Sequence, residues 1–88
     1  MTQTIYLADD EKNIRDLITA FLTQDGFAVT AFGNGDDLRK ACEQKLPNLA
    51  IIDIMMPGTD GLSICSTLRR SFPELPIIIV SAKDSPYD

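Results

Sequence analysis

Three carboxylates stand at the ends of apolar stretches, where packing gives no reason for a charge. Asp53 interrupts the run Leu49-Ala50-Ile51-Ile52-Asp53-Ile54-Met55-Met56, and the turn Pro57-Gly58-Thr59-Asp60-Gly61 follows it directly. Near the amino terminus, Ile5-Tyr6-Leu7-Ala8 runs into the adjacent pair Asp9-Asp10. Oxygen donors of this kind suit Mg²⁺, a hard cation that takes one or two carboxylates, keeps several waters and shares a phosphate with them. Repulsion among three carboxylates in one crevice recruits such a cation, and the cation lets all three stay ionised. A carboxylate held in this way is also a nucleophile. Its attack on phosphorus gives an aspartyl phosphate, while the metal neutralises charge on the transferring oxygens. Ser81, directly after the last apolar stretch, can donate its hydroxyl to a phosphoryl oxygen.

Each residue taken singly has a plainer reading. Asp53 suits a turn or a cap, Asp9-Asp10 suit the N-cap and first-turn acid of a following helix, and Ser81 suits a turn. Met55 and Met56 suit packing, and Gly58 and Gly61 suit a tight turn and a helix entry. The metal and phosphoryl reading rises above these because all three acids fall at the carboxyl ends of predicted strands, where open α/β sheets bind their ligands.

The elements that must position these groups are legible from periodicity. Thr4 to Ala8 reads as a buried strand, and Ile14, Leu17, Ile18, Phe21 and Leu22 recur at spacings of three and four, forming the inward face of a helix that stops at Gly26. Phe27 to Phe32 favours a strand, and Gly33-Asn34-Gly35 turns the chain into a second helix that begins near Asp36 and carries Leu38, Ala41 and Cys42 inward. Pro47 ends that connection. Leu49 to Ile54 is the third strand, a third helix with Leu62, Cys65 and Leu68 inward runs from about Gly61 to Ser71, and Ile77 to Val80 is the last strand. Strand and helix alternate throughout, and the strands are nearly continuous in apolar residues. This predicts a parallel sheet with helices on both faces, a flavodoxin-like doubly wound α/β fold with strand order 2-1-3-4.

Composition narrows the function. The chain has 88 residues, a formal net charge of -5 and no histidine. One small domain is the expectation. Lys12, Arg15, Arg39, Lys40, Lys45, Arg69, Arg70 and Lys83 are scattered and form no stripe for a phosphate backbone, which argues against direct nucleic-acid binding. The absence of histidine excludes Ser-His-Asp and Cys-His sites, histidine metal ligands and a phosphohistidine on this chain. Cys42 and Cys65 fall at apolar helical positions and read as reduced core thiols. There is no charged-then-apolar leader, and the apolar runs are too short to span a bilayer, so a cytoplasmic protein with no membrane partner is expected.

Taken together, Asp9-Asp10 after the first strand, the segment Asp53 through Gly61, and Ser81-Ala82 after the fourth strand resemble the receiver domain of two-component response regulators. The resemblance covers the whole chain, and its central segment is highly specific. It implies that Asp53 is the phosphoacceptor and that Asp10 is a direct Mg²⁺ ligand. Asp9 would be a ligand through water, and the Met55 main-chain carbonyl a further ligand. Ser81 would be the hydroxyl that reorients on phosphorylation, with Ala82 beside it at the switch. A sensor histidine kinase or a small phosphodonor would supply the phosphoryl group, in agreement with the lack of histidine here.

The match also has a boundary. Receivers have five strands and five helices, so residues 1–88 correspond to the N-terminal part of one, with helix four, strand five and helix five absent. The strand-five lysine and the switch aromatic belong to the absent part, and Lys83, just after strand four, is not that lysine. With order 2-1-3-4 and right-handed crossovers, helix one lies on one face and helices two and three on the other. One face is then half bare and the Ile77 to Val80 strand is an apolar edge, so self-association or another chain covering both is expected.

The leading reading is therefore two-component signalling through Mg²⁺-dependent phosphorylation of Asp53, without turnover in the enzymatic sense. A second is a phosphorylation-deficient fragment that serves as an interaction or dimerisation module. An Mg²⁺-dependent phosphohydrolase would need a general acid-base and a cap, neither visible in the sequence. A flavodoxin-like cofactor binder would need backbone N–H groups where the first turn carries acids.

Overall fold

The computed structural model describes residues 2–54 and 61–80. Strands β1 (Thr4–Ala8), β2 (Ala28–Phe32), β3 (Leu49–Asp53) and β4 (Ile77–Val80) alternate with helices α1 (Lys12–Gln24), α2 (Gly35–Gln44) and α3 (Gly61–Ser71). All strand pairs are parallel, in the order β2-β1-β3-β4. The expected topology is what forms, because each helical crossover returns the chain to run beside an earlier strand in the same direction.

The pleat divides the apolar strand residues between two faces. Tyr6 and Ala8 of β1 and Ala50 and Ile52 of β3 point toward Leu38 and Cys42 of α2 and Cys65 and Leu68 of α3, and together they form the buried core. Tyr6 closes its lower end twice: its hydroxyl donates to the Lys45 carbonyl at 2.9 Å, and its ring meets Phe32 edge-on at 5.4 Å between centroids. Burial in this core pushes the Cys42 thiol up to about 11, with the neighbouring Glu43 carboxylate adding to the shift. Cys42 and Cys65 are both buried, as their helical positions predict.

Among the described residues the opposite face carries α1, which lies over β1 and β2, and no other helix packs on that side. A hollow of about 410 Å³ results, lined by Leu17, Ile18, Phe21, Leu22, Ile51, Ile78 and Val80. Leu17 and Phe21 are 69% and 67% exposed, and no residue of α1 is fully buried. The inward face read for this helix is thus only half covered: Ile14, Ile18 and Leu22 are partly buried, while Leu17 and Phe21 overhang the open side. Among the described residues one helix on this side leaves the face half covered, and Ile78 and Ile79 are exposed on the outer strand.

Smaller differences concern the ends of elements. Helix α2 starts at Gly35, one residue before the position read from the sequence, because Asn34 is its N-cap and accepts the Asp37 N–H at 2.8 Å. Asp36 and Asp37 then occupy the first turn, where the helix dipole favours acids. Strand β2 begins at Ala28 rather than Phe27, and β3 closes at Asp53 rather than Ile54. Leu62 is 56% exposed, so α3 turns Gly61, Cys65 and Leu68 inward instead. No helix among the described residues is long and apolar enough to cross a membrane.

Candidate functional site

The register of the sheet places the acids together. Ala8 pairs with Ile52, so the next residues, Asp9 and Asp53, emerge side by side at the carboxyl ends of β1 and β3. Asp53 in turn is the register partner of Val80 on β4. One ligand oxygen from each of Asp9, Asp10 and Asp53 lies within 4.8 Å of the others. Asp9 and Asp53 are fully buried, although charged residues almost never are unless they are paired or hold a cation. Asp10 is less buried than either.

Several bonds among the described residues tie Asp9 down. Its N–H donates to the Phe32 carbonyl at 3.1 Å, extending the β1–β2 ladder by one step. Its Oδ1 accepts the Glu11 N–H at 2.9 Å, and its main-chain carbonyl accepts from the Arg15 guanidinium at 2.8 Å. Helix α1 starts only after this, with Glu11 as its N-cap and no acid in its first turn. The plainer reading of Asp9-Asp10 as cap and first-turn acid is therefore not what forms, because Asp9 uses its carboxylate to close a turn ahead of the helix.

On the other side of the cluster, α3 begins hard against the end of β3. A Cβ on the buried Gly61 would lie 2.5 Å from the Ile54 Cα and 3.0 Å from the Asp53 carbonyl oxygen. Real Cβ contacts do not approach so closely, so only glycine lets this helix enter beside Asp53. The helix-entry reading of Gly61 holds for this reason. Gly58, the Met55 carbonyl, Ser81 and Ala82 lie outside the described residues.

Arg15 was not singled out from the sequence. The available signal was a cation in the first turn of a helix, where the macrodipole favours anions and a basic residue needs a separate reason. Its reason is the Asp9 carbonyl.

An all-oxygen set with two buried members fits a hard divalent cation, which would neutralise the charge that burial makes costly.

Comparison with known proteins identifies the family. Residues 5–88 match the model of the response regulator receiver domain. The chain is 40% identical over 88 residues to the transcriptional regulatory protein CssR of Bacillus subtilis, covering all of this chain and 39% of that protein. It thus spans about two fifths of the length of that curated relative. Among solved structures it is similar to response regulator protein TrrA from Thermotoga maritima in complex with Mg²⁺-BeF, with a TM-score of 0.86 and 31% identity over 97% of this chain and 76% of that one. It is similar too to a chain in the complex of histidine kinase ThkA with TrrA, with a TM-score of 0.88 and 30% identity over 99% and 75% of the two chains.

Proposed function

The chain belongs to the response regulator receiver domain family of two-component signalling, and on that premise we propose that it accepts a phosphoryl group on Asp53 in an Mg²⁺-dependent reaction. The observation that carries this reading is the cluster itself, three carboxylates at strand ends with ligand oxygens within 4.8 Å of one another. Residues 1–88 are on this reading the N-terminal part of a receiver. Asp10 and Asp53 would hold the ion, with Asp9 acting through water and the Met55 main-chain carbonyl as a further oxygen. Bound there, Mg²⁺ supplies charge neutralisation for the phosphoryl oxygens.

The remaining steps belong to the chain's own groups. An Asp53 carboxylate oxygen forms the bond to phosphorus as the P–N bond of a phosphohistidine on the partner sensor kinase breaks, and the departing imidazole takes up a proton. Gly61 keeps α3 close enough to hold the end of β3 in place during attack. Ser81 then donates its hydroxyl to the new phosphoryl group, with Ala82 beside it. The chain is altered by the reaction and turns over no substrate, so it acts as a signal carrier in the cytoplasm rather than as an enzyme. The complex of ThkA with TrrA, a relative by fold and sequence, supports a histidine kinase as the partner.

A second reading, an interaction module, is favoured by one specific observation. The hollow beside α1, lined on the sheet side by Ile51 and by Ile78 and Val80 of β4, is an apolar surface that a second copy or another chain would cover. Direct contact with nucleic acid finds no support in the scattered cations. Incubation with Mg²⁺ and a small acyl-phosphate donor, read by intact mass, separates the readings. Gain of one phosphoryl group by the parent chain, lost on metal removal and in Asp53→Asn, supports the receiver reading. A folded chain that gains none supports the interaction module.

A further inference from the structure

Among the described residues, Arg15 reaches the acidic turn from helix α1. It projects from the first turn of α1, is half-buried, and donates from its guanidinium to the main-chain carbonyl of Asp9 at 2.8 Å. The same guanidinium nitrogen lies 3.6 Å from where a Cβ on Gly33 would stand, so the head of Arg15 sits beside the β2–α2 connection. We infer that Arg15 is a positioning residue that sets divalent-cation affinity by fixing the Asp9-Asp10 turn through the Asp9 carbonyl. This rests on the Mg²⁺ reading of the cluster given above.

The physical argument turns on opposing signs. As a positive charge near three carboxylates, Arg15 disfavours a dication, so deleting it should tighten Mg²⁺ binding if charge alone mattered. As a tether, it adds to the bonds on Asp9 that the N–H to Phe32 and the Oδ1 to Glu11 already make. Asp10 is the next residue along the same backbone, so a rotation of the Asp9–Asp10 peptide carries both carboxylates away from Asp53. Partners that orient a ligand from behind commonly change metal affinity by about 10- to 100-fold when removed. The tether therefore outweighs the charge, and deletion weakens binding.

The test is Mg²⁺ titration calorimetry without any phosphodonor, on the parent, Arg15→Met, Arg15→Lys and Lys12→Met, with amide hydrogen exchange measured on the metal-free proteins. Lys12→Met removes the same charge from the same helix, where Lys12 contacts Asp16 at 2.6 Å and is largely exposed. Arg15→Met is expected to weaken Mg²⁺ by about tenfold or more, and Arg15→Lys, which keeps the charge and one donor, to recover part of that loss. Lys12→Met is expected to leave affinity unchanged or slightly tighter. Exchange of the Glu11 amide should speed up in Arg15→Met. Unchanged or tighter Mg²⁺ binding in a folded Arg15→Met overturns the inference. If that variant does not fold, Arg15→Lys decides: weaker binding than the parent upholds the inference and parental affinity overturns it. Failure of the parent itself to bind Mg²⁺ would overturn the reading of the cluster and, with it, the claim about cation affinity. The Glu11 amide then still reports separately whether Arg15 holds the turn.

Discussion

Replacing Gly61 with alanine is the sharpest probe of how the site is held. The added Cβ would lie 2.5 Å from the Ile54 Cα, 3.0 Å from the Asp53 carbonyl oxygen and 3.2 Å from the Ile54 Cβ. Carbon atoms at rest sit about 3.5–4.0 Å apart, so the closest contact is short by about 1 Å. Two of the three atoms are backbone, and no rotamer change relieves them. Overpacking of this kind costs about 1–3 kcal/mol, against which alanine regains up to about 1 kcal/mol of helix propensity. The net expectation is a loss of about 1–2 kcal/mol. For a domain of this size each kcal/mol moves the melting point by about 4–8 °C, so Tm should fall by about 5–15 °C. Thermal unfolding followed by circular dichroism measures this, with Gly33→Ala as the control. There the nearest atom is an Arg15 nitrogen at 3.6 Å, an ordinary contact, and stability should stay within about 0.5 kcal/mol of the parent. Because relief must come from moving α3 or the end of β3, Mg²⁺ affinity should fall together with Tm. A Gly61→Ala protein as stable as the parent, or one no less stable than Gly33→Ala, would refute the reasoning.

Other expectations follow from particular contacts. Asn34→Ala removes the side chain that caps α2 and should cost about 1 kcal/mol in urea unfolding, with Asn34→Asp close to the parent. The Cys42 thiol, raised to about 11 by burial, should resist alkylation at pH 8 in the folded chain and react once urea unfolds it. The sign of its linkage is also fixed: the folded pKa exceeds the unfolded one, so its contribution is intact below about pH 9 and lost as pH rises toward about 11, which Cys42→Ala should abolish. If the open face associates, sedimentation velocity should show a concentration-dependent shift in the parent that Phe21→Glu or Ile78→Lys removes, whereas Glu74→Lys leaves it unchanged.

Most of the architecture was legible because the strand residues carry it themselves. Ile5 to Ala8, Ala50 to Ile52 and Ile77 to Val80 are apolar without interruption, which only a sheet covered on two faces requires, and the alternation with helices then fixes a parallel order. The acids were legible because charge at the end of such a run is anomalous. Helical periodicity was less informative about burial. It marks the apolar side of α1, but whether Leu17 and Phe21 are covered depends on how much sheet lies beneath, a tertiary fact. The same holds for Leu62, which shares the apolar spacing of α3 yet projects outward. The plainer alternative for Asp9, an N-cap, fits the pattern of an acid before a helix, but here the carboxylate closes a turn one step earlier, onto the Glu11 N–H. Arg15 carried only the faint signal of a cation in a first turn. Its partner is a backbone carbonyl, and no sequence pattern names a carbonyl.

The central claim is that Asp53 is the residue that takes the phosphoryl group, and mapping the adduct tests it most directly. The chain is treated with Mg²⁺ and an acyl phosphate, the acyl phosphate so formed is reduced with borohydride, and the peptides are sequenced by mass spectrometry. Conversion of Asp53 to homoserine in the peptide that contains Ile52 and Ile54, with Asp9 and Asp10 unaltered, is the predicted result. Reduction at Asp9 or Asp10 instead, or no reduced residue in a folded and Mg²⁺-bound chain, would contradict it.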